Sequence, residues 1–299
     1  MTVYTENVSP FGAVNRYVRY SRGGLAAIPQ SREARIIDAP TGPLVVPALG
    51  PSADPLLLSV VVPTLNEREN IADFLAAVRK TLDAALAGHY EVVVVDDDSA
   101  DRTWEIAANL AETFPELRVV RRRNEGGLAV AVIRGWQVAR GALLGTINAD
   151  FQHPPDVLGR LLERTEGADV VVATRHGDGG GLGDWGLTRR ITSWGAAWIG
   201  RVLLPQVYSR VSDPLSGCYL VRRQAIQGVP LQPLGYKSLM EILVRGAIGE
   251  VHECGYEMRK RERGQSKVHA LHPVQYIRHV FRLRAAARER VDKTVAAAR

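Results

Sequence analysis

From residue 56 onward, short runs of β-branched and other apolar residues alternate with amphipathic stretches. The apolar runs predict buried strands at 56–62, 91–95, 118–120, 142–147 and 169–173. The amphipathic stretches predict helices near 67–87, 102–113, 126–139 and 155–165. Apolar strands separated by helices indicate an α/β fold with a mainly parallel central sheet flanked by helices. Ligands on such sheets bind beyond the carboxyl ends of the strands, so the residues that follow each run are the candidate site.

Composition narrows the class of protein. The chain has 299 residues, of which 46% are hydrophobic, so a wholly disordered chain is excluded. A net charge of +6 predicts acidic partners such as phosphates, an anionic membrane or nucleic acid. The two cysteines lack metal-ligand spacing, and a reducing compartment fits them. Because no apolar run approaches the ~20 residues of a membrane span, we expect a cytoplasmic protein that is soluble or peripheral.

Turn-forming residues and charge divide the chain into three predicted parts. Residues 1–54 carry scattered Pro and Gly without a sustained period, which predicts a partly flexible N-terminal extension. Residues 55–270 hold the alternating pattern and form the predicted main domain. Residues 271–299 predict a basic amphipathic helix, which either packs on the domain or lies on anionic lipid.

Polar residues follow the first two predicted strands. The first strand leads into Pro63-Thr64-Leu65-Asn66-Glu67, where an ordinary helix start is an equally good explanation. The second leads into Asp96-Asp97-Asp98-Ser99, and capping accounts for only one or two of these residues. Adjacent carboxylates repel one another unless amides, a ligand or a cation offset them. We therefore expect Asp96 to accept hydrogen bonds from a nucleobase or a ribose.

The fourth predicted strand is followed by Asn148-Ala149-Asp150-Phe151-Gln152-His153-Pro154-Pro155. If this segment is extended, its alternate residues point the same way, so Asn148, Asp150 and Gln152 can direct oxygen atoms to one point. Oxygen ligands that include one carboxylate suit Mg²⁺ or Mn²⁺, completed by water and diphosphate oxygens. The alternative is that these side chains only cap the helix that starts at the prolines.

Arginines near strand ends are candidates for gripping phosphate. Arg175 follows the fifth predicted strand, and Arg189 follows a glycine-rich loop. Guanidinium groups bind phosphate bidentately, although a single surface arginine is a weak signal. The loop itself, residues 181–186, spells a dinucleotide-binding fingerprint but does not directly follow a strand, so we reject that interpretation.

Two further motifs complete a resemblance. They are Ser212-Asp213-Pro214-Leu215-Ser216-Gly217 and Arg261-Glu262-Arg263-Gly264-Gln265-Ser266-Lys267. Taken in order with the segments above, they make residues 57–283 resemble the inverting family 2 glycosyltransferases. These enzymes have the GT-A fold of nucleotide-diphospho-sugar transferases, and the likeness is greatest to dolichol-phosphate mannose and polyprenyl-phosphate glucose synthases. The resemblance implies that residues 55–270 form a GT-A catalytic domain.

The resemblance also implies a role for each matching residue. The residues implied to hold the nucleoside are Pro63, Leu65, Glu67 and Asp96. The implied metal residues are Asn148, Asp150 and Gln152. The implied phosphate and acceptor residues are Arg175, Arg189, Ser193, Arg261 and Lys267, of which Arg261 and Lys267 would close over the diphosphate. The implied catalytic residues are Asp150 and Asp213. Because a lipid phosphate is already ionised at neutral pH, Asp213 is expected to orient the acceptor or metal rather than act as a strong base.

Asn148 departs from the family pattern, which has an aspartate at this position. An amide oxygen still coordinates a cation, but the site loses one negative charge. We therefore expect weaker cation binding when no nucleotide is present, or an altered metal or donor preference.

The implied activity is transfer of a hexose from a nucleotide diphosphate sugar to a polyprenyl or dolichyl phosphate. Mannose from GDP-mannose is favoured over glucose from UDP-glucose. The implied partners are these substrates, a membrane surface at its cytoplasmic face, and a separate membrane-anchor protein or a second copy of the chain. A soluble small-molecule acceptor is the main alternative. Nucleic-acid binding is a remote one, because carboxylates at the strand ends would repel a phosphate backbone.

Two groups of apolar residues have two possible roles. Trp194 and Trp198 lie four residues apart on one predicted helical face, which favours helix core over a surface for a prenyl chain. In the last predicted helix, arginines interleave with an apolar set composed of Tyr276, Val280, Phe281 and Leu283.

Overall fold

The computed structural model describes residues 36–50, 56–177, 179–181, 195, 198–261, 263 and 272–297. The strands are β1 (Ile36–Asp38), β2 (Leu56–Thr64), β3 (Tyr90–Asp96), β4 (Leu117–Arg121), β5 (Gly141–Thr146), β6 (Val170–Thr174), β7 (Tyr219–Arg222) and β8 (Val251–Gly255). The helices are α1 (Ile71–Leu86), α2 (Thr103–Leu110), α3 (Leu128–Val138), α4 (Val157–Leu162), α5 (Pro205–Tyr208), α6 (Ser238–Arg245) and α7 (His272–Ala297).

Within these described residues the strands form one 8-stranded sheet in the order β1-β4-β3-β2-β5-β7-β6-β8. Every pairing is parallel except those of β7, which runs antiparallel to β5 and β6. The predicted α/β fold with a mainly parallel sheet is confirmed. Each of the five predicted strands lies within a residue or two of an observed one.

The central strands are buried on both faces, as their unbroken apolar sequences require. Val60, Val61 and Val62 are all inaccessible to solvent and pair in parallel with β3. One layer of side chains comes from α1, α2 and α4, and the other from α3, α6 and α7. Gly135 lets α3 approach the sheet closely, because a Cβ atom there would lie 2.6 Å from a methyl carbon of Val61.

Part of the predicted N-terminal extension packs on the domain. Strand β1 pairs with β4 at the edge of the sheet, and Val46 is fully buried. Arg134 of α3 donates to the carbonyl oxygen of Gly42 at 2.9 Å, and Gln137 donates to that of Pro43 at the same distance. Residues 36–38 therefore extend the sheet at its edge, and residues 42–45 are bound to α3. The division at residue 54 stays a prediction.

Helix α7 packs along α6 through Tyr276, Val280 and Leu283, which are all buried. Its His279 imidazole lies 2.8 Å from the buried carboxylate of Glu241 on α6. Phe281, the fourth apolar residue of this set, is 56% exposed, while the other three face inward. Among the described residues, no helix has the length and hydropathy that crossing a bilayer requires.

The two tryptophans that were predicted to share a helical face have different outcomes. Trp198 lies in a helical stretch, but its side chain is 58% exposed. The helix-core role favoured for Trp198 is therefore wrong, because this side of its helix is not covered by the rest of the domain. Trp194 lies outside the described residues, and its role stays a prediction.

Candidate active site

The loops that follow β2 and β3 are bound to each other at the carboxyl edge of the sheet. The backbone amide of Asn66 donates to the Ser99 hydroxyl at 2.8 Å. The amide of Glu67 donates to the Thr103 hydroxyl at 2.9 Å, at the start of α2. Asn66 has a positive φ of 51°, a conformation that asparagine tolerates better than most residues. The predicted nucleoside residues therefore lie on two loops that hold each other in place.

Asp96 ends β3 and is fully buried. Its carboxylate accepts hydrogen bonds from the hydroxyls of Thr64 and Ser99, both at 2.7 Å, and from the Ser99 amide at 2.8 Å. Burial raises its pKa, and these neutral donors only partly offset the effect. Sequence reasoning found no structural role for this residue, whereas its contacts show that it holds two loops together. Its predicted contact with a nucleoside stays a prediction.

The other predicted nucleoside residues differ in exposure. Pro63 is buried within β2, opposite Val95, so β2 continues past the proline rather than ending there. Leu65 is 39% exposed, which is unusual for a leucine beside so many buried neighbours. Glu67 is only 6% exposed, and Asn70 donates to its carboxylate at 2.8 Å. Leu65 and Glu67 thus offer an apolar surface and a negative charge on adjoining turns.

The predicted metal loop is not an extended segment. Residues 149–153 turn, and Phe151 has a positive φ of 57° and packs edge-on against Phe74, with ring centroids 5.2 Å apart. The turn lets the amide of Gln152 donate to the Asp150 carboxylate at 3.1 Å. The expected alternation of side chains is therefore wrong, and the Phe151 anchor is what fixes Asp150 at the sheet edge.

The donor atoms of this loop fit a hard divalent cation. The side-chain oxygen of Asn148 is buried and has no hydrogen-bond partner among the described residues, which is uncommon for a polar atom in a folded protein. Burial raises the pKa of Asp150, with Arg261 opposing the shift, so its negative charge is incompletely balanced. The described residues hold no group of three or more His, Cys, Asp or Glu side chains arranged for metal binding. A cation here would depend on Asp150, amide oxygens and ligands from outside the chain.

Arg261 connects the loops after β2 and β5. Its Nη2 atom lies 2.8 Å from Oε1 of Glu67 and 3.4 Å from Oδ2 of Asp150. The flanking chain is also held, because the Arg259 amide donates to the Gln152 carbonyl at 3.1 Å. The predicted nucleoside, metal and diphosphate residues are therefore brought together. Three predicted phosphate residues, Arg189, Ser193 and Lys267, lie outside the described residues.

Asp213 and Arg175 form a bidentate ion pair, with nitrogen to oxygen distances of 2.6 and 2.8 Å. Both side chains are nearly inaccessible. Burial alone would raise the pKa of Asp213, but Arg175 outweighs it and holds that pKa below its ordinary value. Asp213 is therefore ionised and weakly basic, as expected for an orienting group. The structure pairs Arg175 with this carboxylate, and phosphate binding by Arg175 stays a prediction.

Three residues near this pair were not predicted from the sequence. His153 is 4% exposed and stacks on Tyr256, with centroids 4.8 Å apart. Burial lowers the pKa of His153 to about 3, and the positive charges of Arg175 and Lys237 act in the same direction, so the imidazole is neutral. Lys237 donates to the Leu215 carbonyl at 2.5 Å. His153 stands within the quoted metal motif, whereas no sequence signal marks Lys237.

Comparison with known proteins identifies the family. Residues 59–229 match the family model described as Glycosyl transferase family 2. The chain belongs to this family. The resemblance given by the motifs is thus confirmed.

Two characterised relatives give the family match more detail. The chain is 42% identical over 228 residues to a dolichol-phosphate mannosyltransferase of Pyrococcus furiosus, covering 76% of this chain and 63% of that one. It is 30% identical over 216 residues to an undecaprenyl-phosphate mannosyltransferase of Micrococcus luteus, covering 70% of this chain and 86% of that one. The chain thus spans less than two thirds of the Pyrococcus protein.

A solved structure confirms the fold. Glucosyl-3-phosphoglycerate synthase of Mycobacterium tuberculosis, in complex with Mn²⁺, UDP and glucosyl-3-phosphoglycerate, matches with a TM-score of 0.54 and 23% identity. The match covers 76% of this chain and 78% of that one. It shows that the chain has the GT-A fold, and that a relative with this fold holds a divalent cation together with a nucleoside diphosphate.

Proposed function

We propose that this chain is an inverting mannosyltransferase that moves mannose from GDP-mannose to a polyprenyl or dolichyl phosphate. The names of the two mannosyltransferase relatives support the sugar and the class of acceptor. Catalysis requires Mg²⁺ or Mn²⁺, and the acceptor lies in a membrane that the enzyme approaches from its cytoplasmic face.

One observation carries the proposal. A single guanidinium group, that of Arg261, contacts Glu67 and Asp150, which follow two different strands of the sheet. Nearly two hundred residues separate Arg261 from Glu67 along the chain, so the contact depends on the folded domain. When a ligand binds, the carboxylates can bind a divalent cation in place of the guanidinium group, and the guanidinium group can bind a diphosphate in place of the carboxylates. That combination of ligands is what a nucleotide diphosphate sugar brings.

The reaction is one displacement at the anomeric carbon. An oxygen of the acceptor phosphate forms a bond to that carbon as the bond to the diphosphate oxygen breaks, and GDP leaves with the electron pair. Inversion follows because there is a single displacement. Arg261 is placed to neutralise charge on the leaving diphosphate, which is where preorganised cationic groups contribute most. A cation held by Asp150 and neighbouring amide oxygens supplies Lewis-acid stabilisation of the same leaving group.

Asp213 and Arg175 act on the acceptor side. An ionised lipid phosphate needs no general base, so the weak basicity of Asp213 does not slow the reaction. Glu253 of β8 fixes the turn that carries Asp213, accepting from the Ser212 amide at 2.9 Å and from its hydroxyl at 2.8 Å. We infer that the pair orients the acceptor phosphate for attack from the face opposite the diphosphate.

The test is transfer of labelled sugar. Purified protein is incubated with Mn²⁺ and either GDP-mannose or UDP-glucose, and with a short polyprenyl phosphate. We expect label from GDP-mannose in the organic extract, as a phosphodiester-linked sugar with inverted anomeric configuration. Label that stays in the aqueous phase as unreacted GDP-mannose would contradict the lipid acceptor. Asp156→Asn is the matched control for the Asp150→Asn variant of the candidate cation site. Asp156 is exposed and pairs with Arg160 one helical turn away, at 3.6 Å.

A further inference from the structure

Within the part of the chain that the structure describes, the large exposed apolar side chains are concentrated in two helical segments. Six large hydrophobic side chains are exposed among the described residues. One is Leu65, at the candidate nucleoside site. The other five lie within residues 198–203 and helix α7, namely Trp198 at 58%, Val202 at 55%, Val274 at 53%, Ile277 at 39% and Phe281 at 56%. Scattered exposed apolar residues need no explanation, but a concentration of this kind marks an interaction surface.

Each segment presents its exposed apolar residues on one face. Val274, Ile277 and Phe281 have the i, i+3, i+7 spacing of a single helical stripe. This stripe is separate from the inward face of α7, which Tyr276, Val280 and Leu283 bury in the core. Trp198 and Val202 are spaced i, i+4 within residues that are helical. Helix α7 is therefore apolar on two sides, and among the described residues one of these sides is buried and the other is exposed.

The two segments adjoin each other and the acceptor side of the site. Leu203 and Tyr208 pack on the same core cluster as Tyr276. Gly200 lies directly against Tyr208, since a Cβ atom there would be 2.4 Å from the phenol oxygen. The pKa of Tyr276 is raised by burial and then by the neighbouring Tyr208 phenol. The Tyr208 phenol also lies close enough to Asp213 for that carboxylate to add to the rise of its pKa, which burial causes first, so this segment approaches the turn that carries Asp213.

Positive charge accompanies the exposed apolar residues of both segments, and the acidic residues of α7, Glu289 and Asp292, come after its apolar stripe. Residues 198–212 include Arg201 and Arg210 and no acidic residue, and residues 272–288 include four arginines and no acidic residue. Arg201, Arg278 and Arg282 are exposed. An exposed apolar stripe flanked by arginines matches the boundary between acyl chains and anionic headgroups, which attracts each nearby basic residue. A protein partner would have to supply an equally acidic rim, whereas an anionic bilayer has one.

We propose that Trp198, Val202, Val274, Ile277 and Phe281, with the arginines beside them, form a surface that inserts shallowly into an anionic bilayer. The inference deepens the proposed function and rests on it, because it gives the membrane that presents the acceptor a defined docking face. On this surface the enzyme rests with the Asp213 side of the site toward the lipid.

The experiment measures binding of the full chain to vesicles by flotation, without donor or acceptor. The vesicles are phosphatidylcholine alone or phosphatidylcholine with about 30% phosphatidylglycerol, which supplies the anionic surface. We expect wild-type protein to float with the anionic vesicles, and to be released as salt is raised to a level that screens surface charge. Ile277→Ser/Phe281→Ser and Arg278→Gln/Arg282→Gln should each weaken binding by on the order of tenfold or more.

The matched control is Lys80→Gln/Arg164→Gln, which removes the same charge from exposed residues on α1 and after α4. It should bind as wild type does. Equal binding of wild type and Ile277→Ser/Phe281→Ser overturns the inference, and so does equal binding to neutral and anionic vesicles. A third outcome also overturns the inference. If the wild type is a dimer that does not bind vesicles, and Ile277→Ser/Phe281→Ser dissociates that dimer, the surface is an interface between two copies of the chain.

A separate measurement keeps the two proposals distinguishable. Transfer of sugar to a short, water-soluble prenyl phosphate tests the catalytic function without vesicles. Vesicle binding without any transfer would contradict the proposed function alone. Transfer with no vesicle binding would contradict the docking surface alone. Because the substituted side chains are exposed, thermal stability should be unchanged, and this check excludes misfolding as the cause of lost binding.

Discussion

Strand β3 carries a buried carboxyl group near each end, and the two groups have opposite surroundings. At the amino end, Glu91 accepts from Arg118 at 2.9 Å, from Arg140 at 3.0 Å and from Ser59 at 2.7 Å. Burial alone would raise its pKa, but the two arginines outweigh burial and hold the pKa below its ordinary value of 4.5. At the carboxyl end, Asp96 accepts from the neutral groups of Thr64 and Ser99, and its pKa is raised.

The same contrast extends along the two edges of the sheet. At the carboxyl edge the pKa values of Asp97 and Asp150 are also raised, chiefly by burial, whereas Asp213 is the exception because Arg175 lowers its pKa. A carboxylate whose charge the fold balances contributes to stability, whereas an incompletely balanced one costs stability and is retained for another purpose. The amino edge is therefore structural, and the carboxyl edge is prepared for a cationic or hydrogen-bonding ligand.

The largest expected effect is that of Asp150→Asn, which removes the negative charge from the candidate cation site. We expect sugar transfer to fall by about a thousandfold, since metal stabilisation of a leaving group is worth several kcal/mol. Thermal stability should not fall, because the pKa of Asp150 is raised in the folded state. Transfer rates and melting curves measure the two effects. Retention of most of the activity would remove Asp150 from the site.

Glu91→Gln should show the reverse pattern. It leaves Arg118 and Arg140 without their shared carboxylate, which should lower the free energy of unfolding by about 3 kcal/mol. The Michaelis constants for both substrates should stay unchanged at low temperature, because Glu91 lies at the opposite edge of the sheet. Denaturant titration measures the loss. Glu105→Gln is the control, since Glu105 pairs with the exposed Arg102 at 3.2 Å and should cost under about 1 kcal/mol.

Arg261→Gln tests the cationic group that lies between the two carboxylates. Removing it relieves Asp150 of a competing positive charge, so Mn²⁺ should bind several-fold more tightly without nucleotide. Binding of GDP should weaken, because the same guanidinium is proposed to contact the diphosphate. Manganese electron paramagnetic resonance and calorimetry measure the two affinities. Arg263→Gln, which removes an exposed pair with Asp73 at 3.0 Å, should change neither. Weaker Mn²⁺ binding by Arg261→Gln would contradict the competition.

The residues predicted from the sequence are those whose position follows from chain order. A polar side chain that comes directly after a buried strand must lie at the carboxyl edge, so chain order alone places Glu67, Asp96 and Asp150 there. The pairing of Arg175 with Asp213 does not follow from chain order, because it depends on β7 running antiparallel between β5 and β6. Strand β7 has only four residues, too few for a periodic signal.

The local backbone conformation of the site could not be predicted from the sequence either. The turn at Phe151 depends on a positive φ that nothing in the motif requires, and on the contact with Phe74 of α1. Strand β1 was not predicted. It has only three residues, lies ahead of a segment rich in proline and glycine, and forms because it pairs with β4 at the edge of the sheet. In each case a long-range contact overrides a weak local preference.

Asn148→Asp should increase the difference in charge balance between the two edges of the sheet, with a smaller effect than the three variants above. It restores the aspartate of the family pattern beside Asp150 and adds a second negative charge at the carboxyl edge. We expect Mn²⁺ binding without nucleotide to tighten by about tenfold, and stability without metal to fall by roughly 1 kcal/mol from carboxylate repulsion. Manganese titration and melting curves check both. Unchanged affinity would place the Asn148 side chain outside the cation site.

The smallest expected effect is a pH dependence of stability that the two edges drive in opposite directions. Asp96, Asp97 and Asp150 have raised pKa values, so the folded state binds protons before the unfolded state does. These three groups should therefore add about 1 kcal/mol to the free energy of unfolding as pH falls through their pKa values. His153, whose folded-state pKa is lowered to about 3, should subtract more than that as pH falls below its ordinary value of 6.5.

Below the ordinary glutamate value of 4.5, Glu91 should act in the opposite direction to the three aspartates. Glu91 has a lowered pKa, so its contribution is present above its unfolded value and is lost as pH falls through its folded one. Denaturant titrations between about pH 7 and pH 3 should show the stability of the wild type falling, and variants separate the two edges. Asp150→Asn should make the fall steeper, and Glu91→Gln should make it shallower at low pH. An Asp150→Asn curve parallel to that of the wild type would mean that the carboxyl edge is balanced by the protein itself, and the distinction between the edges would be lost.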